Sequence, residues 1–291
     1  MTKQSGIKAA CLTLLLCLGR VNAAQSRFLG QFSGFDRNDY PGDAALPALK
    51  QNFQYLGYWL NAPPGETTNG WAGKRAILEK TGFGFLILFN GRRDAKLKRG
   101  NAAAMGSADG EAAAAAALRE GFPRGAVIFL DLEEGGRLLP EQAAYVIAWI
   151  DAVRAAGARA GVYCSSIEVQ DESGTTSTAA DIAAREHARE VSGQKDEATA
   201  KLKLWIANDA CPPAPGCTLE APAMATAIPA ELRGYASVWQ YAQSPRRAEF
   251  SASCPKNAAP NGDCYAPGLP AGAKVFVDLD VADSADPSGG R

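Results

Sequence analysis

Ala126-Val-Ile-Phe-Leu-Asp-Leu-Glu-Glu134 is an apolar run that ends abruptly in carboxylates. It follows the turn signal Gly121-Phe-Pro-Arg-Gly125, and a short β-prone run behind such a signal fits a buried strand of a parallel sheet. Side chains alternate along a strand, so Phe129, Asp131 and Glu133 share one face, while Ile128, Leu130 and Leu132 take the other. Two acids at the carboxyl end of a buried strand are costly without partners or a task. That end is where a β/α protein keeps its chemistry.

Working outward, further strands are expected at Gln31–Asp36, Tyr55–Leu60, Phe83–Phe89, Ala160–Cys164, Leu202–Ala207, Ala236–Tyr241 and Lys274–Leu279. Helical patches separate most of them. A short one lies around Leu46 to Phe53 and another near Lys74 to Lys80. Asp109-Gly-Glu-Ala112 opens an alanine-rich helix that ends by Gly121, and Gly106-Ser-Ala-Asp-Gly110 before it reads as a turn. The clearest period is in Glu141 to Ala156, where Tyr145, Val146, Trp149, Ile150 and Val153 fall on one face. A last helix spans roughly Ala179 to Val191.

Eight alternating strand units in this length predict an α/β fold, a single (β/α)8 TIM-type barrel. It should be irregular in the last two crossovers, which are loop-rich. A doubly wound open sheet is the alternative. The expected organisation is a signal peptide over residues 1–24, the barrel over 25–281 and a disordered tail over 282–291, rich in Ser, Gly, Asp and Pro.

The first residues have the form of an export signal. Lys3 and Lys8 precede the apolar core Ala9–Leu18, and Val21-Asn-Ala23 or Asn22-Ala-Ala24 offers a small-residue cleavage site. That core is too short to span a bilayer, and bulky Leu16 argues against a lipid-anchored Cys17. Cleavage would remove Lys3, Lys8 and Arg20 and no acid, taking the formal charge from −1 to about −4. A mildly acidic chain without a basic cluster is a poor match for nucleic acid. A secreted or periplasmic monomer without a membrane span is expected.

Export also permits disulfides. Cys211–Cys217 and Cys254–Cys264 each enclose a short loop rich in Pro or Gly, and two local bridges are the natural pairing, although spacing alone does not prove connectivity. Cys164, sharing a strand face with Val162, reads as an inert buried thiol.

Only one histidine is present, His187 in a polar helix, which excludes a multi-histidine metal centre and disfavours Ser-His-Asp chemistry. Phosphate-loop and dinucleotide fingerprints are absent from the sequence. Carboxylate chemistry without a cofactor or metal remains. In a barrel, Asp36, Asp131 and Glu133 lie on one rim, joined by Asp278 or Asp280 from the last strand beside the first. Acids crowded together raise one another's pKa, and a carboxyl held protonated near neutrality can donate to a leaving oxygen. Tyr58, Trp59, Tyr163, Trp205, Trp239 and Tyr241 lie at strand ends, where rings could stack on sugar faces or simply fill the packing.

In that order, Gly34-Phe-Asp36, Tyr58-Trp59, Asp131-Leu-Glu133, Gly161-Val-Tyr163, Leu204-Trp-Ile-Ala207, Trp239-Gln-Tyr241 and Val277-Asp-Leu279 resemble the family-25 glycoside hydrolases. More closely, the chain resembles the bacterial secreted glycoside-hydrolase-like family known as domain of unknown function 1906. The resemblance spans roughly Phe32 to Val281 and rests on the order of short motifs. It implies lysozyme-like (muramidase) cleavage of the peptidoglycan glycan strand, with Glu133 as the acid. It also implies that Asp36 and Asp131 position substrate or stabilise the intermediate, and that Asp278 is the final acid of the set. The two cysteine-bearing loops depart from a minimal barrel of that family.

Three readings follow. The first is a glycoside hydrolase acting on peptidoglycan or another amino-sugar polymer, the second a non-catalytic glycan-binding barrel. The third uses the acids to hold Ca²⁺ or Mg²⁺.

Overall fold

A computed structural model of the chain describes residues 31–193, 200–209, 223–243, 266, 269 and 275–291. The expected signal peptide and both expected disulfides lie outside the described residues. In chain order the strands are β1 (Phe32–Asp36), β2 (Tyr55–Trp59), β3 (Gly84–Asn90), β4 (Val127–Leu132) and β5 (Arg159–Ser165). A surface hairpin follows, β6 (Val169–Asp171) and β7 (Gly174–Thr176), then β8 (Lys203–Ala207), β9 (Ala236–Ala242) and β10 (Asp278–Ala282). Eight of them close a barrel in the order β1-β10-β9-β8-β5-β4-β3-β2. The open-sheet alternative is thereby excluded.

One strand breaks the expected pattern. β10 pairs antiparallel with both β1 and β9, whereas the neighbouring pairs from β1 through β5 to β8 and β9 are parallel. The expected final strand, Lys274–Leu279, is replaced by one that begins at Asp278. A strand entering from the opposite end needs no crossover helix. The preceding connection, from β8 to β9, is also irregular. Its described part holds only the one-turn helix Met224–Ala227 and a 3-10 turn at Ala230–Leu232.

The other helices surround the barrel: α1 (Leu46–Lys50), α2 (Arg75–Thr81), α3 (Asp94–Leu97), α4 (Ala102–Arg119), α5 (Pro140–Ala155) and α6 (Thr178–Val191). α5 buries the predicted face of Tyr145, Val146, Trp149, Ile150 and Val153. α4 starts seven residues before the expected Asp109, with the Asn101 side chain capping it by accepting from Ala104 N. Its glycines made that stretch read as a turn. In the helix they admit α5 at close range, because a Cβ on Gly106 would stand 2.2 Å from the Tyr145 carbonyl oxygen. On Gly110 it would stand 2.8 Å from the Trp149 carbonyl oxygen. Close backbone packing outweighs the helix cost of glycine here.

The tail is also not as expected. Pairing of β3 with β4 begins only at Ile87 and Ile128, so earlier amides at these strand starts need other partners. Residues 285–291 supply them. Ser288 N donates to Phe85 O at 2.9 Å, Val127 N donates to Ser288 O at 2.8 Å, and Ile87 N donates to Ser288 Oγ at 2.9 Å. Asp286 accepts from Phe85 N, Gly290 N and Arg291 N. Small polar residues that suggested fraying act as hydrogen-bond partners of exposed strand ends.

Asp286→Ala removes an acceptor shared by three backbone amides and is expected to destabilise the fold by about 2 kcal/mol. A lower urea midpoint checks this. An unchanged midpoint would mean that the tail is not part of the folded unit.

Candidate active site

β4 carries Asp131 to the carboxyl-end rim, between Asn90 of β3 and Tyr163 of β5 in register. Glu133 follows just beyond the strand and is exposed. Asp36 ends β1 directly opposite Asp278, the first residue of β10. Reversal of the last strand therefore still delivers Asp278 to the rim, by its amino end. Asp36, Asp131, Glu133 and Asp278 all line one cavity of about 120 Å³ with Trp59, Tyr163, Trp205, Asn38, Leu88, Gln240 and Gln243.

Half of the predicted aromatic set belongs elsewhere. Tyr58 points out of the barrel, donating to Glu120 and packing edge-on against Trp71 and Phe122. Trp239 and Tyr241 do share a face, with rings 5.8 Å apart, but neither lines the cavity; the Trp239 indole donates to Asn208 O. Strand alternation then places Gln240 on the interior face, and sequence reading had passed over it. Its signal was present as an amide between two aromatics in an otherwise apolar strand.

Gln240 organises the site. Its Nε2 donates to Asp36 Oδ1 at 2.8 Å, and its Oε1 accepts from the Tyr163 hydroxyl at 2.8 Å and from Gln243 Nε2 at 3.0 Å. Tyr163 is held protonated as a donor, because burial and the surrounding acids push its hydroxyl far up.

Asp36 is 7 % exposed and Asp131 3 %. Burial pushes Asp36 up to about 6, against hydrogen bonds from Gln240 and Asp280, with the charge of Glu133 adding. Asp131 lies well above the usual carboxylate range, through burial first and then the charges of Glu133 and Asp36, with Arg93 opposing. Its Oδ2 is buried without a hydrogen-bond partner. A buried carboxyl with a raised pKa thus lines the same cavity as the exposed Glu133. A carboxyl raised in this way holds its proton to higher pH than a free one, which suits it to donate a hydrogen bond.

A larger groove of about 410 Å³ lies along loops that follow β5 and β8, between Ser166, Thr176, Asn208 and Glu231. Tyr163 and Trp205 of the acid cavity come from the same two strands. Cys164 is a buried free thiol, as expected, and His187 is an exposed helix residue. Among the described residues no three His, Cys, Asp or Glu are grouped to hold a metal ion, and no helix is long and apolar enough to cross a membrane.

The profile of the Rv2525c-like, glycoside hydrolase-like domain matches residues 61–210, just over half of the chain. Among solved structures, an uncharacterized protein of B. stearothermophilus is 21 % identical with a TM-score of 0.56, over 86 % of this chain and 95 % of that one. This likeness shows the fold. The Tat-secreted protein Rv2525c of Mycobacterium tuberculosis is 13 % identical at a TM-score of 0.48, over 87 % and 94 %. A family 25 glycosyl hydrolase from Bacillus anthracis is 15 % identical at 0.42, over 86 % and 88 %. No curated protein matches the chain.

A carboxyl whose folded pKa exceeds its unfolded value stabilises the fold at low pH, and that contribution is lost as pH rises through the folded value. For Asp36 the window runs from 3.8 to about 6. Asp36→Asn keeps the acceptor for Gln240 and is expected to be more stable than wild type by about 3 kcal/mol near neutral pH. Below pH 3.8 the advantage should vanish. Thermal melts across this range check it, and a pH-independent difference would show that Asp36 ionises equally in both states.

Proposed function

This chain belongs to the Rv2525c-like glycoside hydrolase-like family, and on that premise we propose that it is a secreted, metal-independent glycoside hydrolase acting on peptidoglycan or a related amino-sugar polymer. The observation that carries the reading is the meeting of Asp36, Asp131, Glu133 and Asp278 with Trp59, Tyr163 and Trp205 around one rim cavity. Glycoside cleavage needs an acid that reaches the leaving oxygen and a negative group that supports the cationic transition state. Glu133, exposed at the mouth, takes the first task. Asp36, ionised near neutrality and oriented by Gln240, takes the second. Burial holds Asp131 well above the usual carboxylate range, so in this reading its protonated form donates a hydrogen bond to the sugar rather than adding charge. Trp59 and Trp205, which line the cavity, supply apolar wall for a sugar face in this reading.

One observation favours a second reading, a barrel that grips glycan without cutting it. A cavity of about 120 Å³ is small beside the roughly 300–1,000 Å³ of common ligand pockets. A polymer would then lie across the rim, along the neighbouring groove, with only part of one sugar inserted.

Glu133→Gln separates the two. Under the hydrolase reading, release of muropeptides measured by mass analysis falls by about 100-fold or more, while glycan binding persists. Wild-type protein that binds amino-sugar polymers saturably and leaves all of them intact would end the hydrolase reading. Trp59→Phe is expected to weaken binding in either case. Trp239→Ala should lower stability and leave affinity unchanged, because Trp239 is packed outside the cavity.

A further inference from the structure

Asp280 lies beneath the cavity. It sits opposite Gly34 on one side of β10 and Gln240 on the other, so its side chain shares the interior face with Asp36 and Asp278. It is 0 % exposed. Oδ1 accepts from the Trp205 indole Nε1 at 3.0 Å. Oδ2 is buried and receives no N–H or hydroxyl donor. The Asp36 carboxyl lies on the same interior face, two residues along β1 from the Gly34 that Asp280 opposes, and the two acids act on each other.

Two carboxyl groups can hydrogen-bond only when one of them carries a proton. The neighbours decide which. Gln240 Oε1 is taken up by Tyr163 and Gln243, so its NH₂ group faces Asp36 and supports the ionised form there. The remaining proton then belongs on Asp280 Oδ2, the oxygen not engaged by Trp205. The groups acting on Asp280 are Asp36 of β1, Tyr55 of β2, Trp205 of β8, Tyr241 of β9 and Asp278 of its own strand. None is a cation. Burial, with Asp36 and Asp278 adding, holds Asp280 well above the usual carboxylate range.

We propose that Asp280 is a positioning residue: it donates a proton-bearing hydrogen bond to Asp36 and anchors the Trp205 indole, so that the two buried carboxyls carry one negative charge between them. Asp36 and Trp205 both line the cavity, and one side chain beneath them fixes both. The place of the proton stands on the geometry. Only its consequence for glycan cleavage rests on the hydrolase reading.

Isotope-edited infrared spectroscopy near neutral pH reads the proton directly. Wild type is expected to show an un-ionised carboxyl carbonyl stretch that is lost in Asp280→Asn and retained in Asp131→Asn, which removes only the separate contribution of Asp131. An Asn amide can donate to Asp36 and accept from Trp205, so Asp280→Asn should keep the Trp205 indole N–H resonance and a kcat within about threefold of wild type. Asp280→Leu should displace that resonance and lower kcat about tenfold or more, with a smaller change in KM. Identical carboxyl spectra for wild type and Asp280→Asn would overturn the proposal, as would an unmoved indole resonance in Asp280→Leu. If the Leu variant does not fold, the wild-type and Asn spectra decide. If wild type cleaves no glycan yet the carboxyl band behaves as expected, the failure belongs to the hydrolase reading and the proton assignment stands.

Discussion

Antiparallel insertion of β10 between β9 and β1 is the constraint on which the architecture and the site both depend. It closes the ring, leaving no edge between first and last strands. It also sets the height of every acid on that strand. Because β10 starts at the rim and descends, Asp278 stands opposite Asp36 at the cavity while Asp280 lies one layer lower, in the barrel interior. A parallel last strand would have raised Asp280 towards solvent and lowered Asp278. Strand direction, invisible in a list of residues, decides which of two near-identical aspartates lines the cavity.

Burial of these acids in a closed barrel has a cost that the hydrogen bonds only partly offset. Gln240 and Trp205 each donate to a carboxyl, and no arginine or lysine reaches Asp280 from the groups that act on it. Burial instead favours the protonated forms of Asp131, Asp36 and Asp280. Retained protons lower the charge density on the rim and make the acids useful near neutrality. The same burial that costs stability at neutral pH raises the pKa of these acids.

Outside the site, hydrogen-bond accounting explains features that composition concealed. The polar tail looked unable to hold a structure of its own, which is true of the isolated segment. It is ordered because the starts of β3 and β4 present amides that Ser288 and Asp286 satisfy. Gly106 and Gly110 likewise weaken a helix considered alone, yet they let α4 and α5 approach backbone to backbone. In both places a long-range contact overrides the local preference.

Alternation within short apolar runs was enough to identify seven of the eight barrel strands, the acid faces of β1 and β4, and the core face of α5. These signals are local, set by the period of a single element, so the sequence by itself determined alternating strands and helices with Asp36, Asp131 and Glu133 at strand ends. Tertiary structure decided the rest. Alternation gives two faces without saying which is inside, so Trp239 and Tyr241 looked as suitable as Gln240 until closure turned Gln240 inward. Tyr58 was lost to the outer layer for the same reason, while its neighbour Trp59 was kept. The reversal of β10 and the approach of Asp280 to Asp36 join residues more than two hundred positions apart. Only the folded chain brings such groups close enough to act on each other.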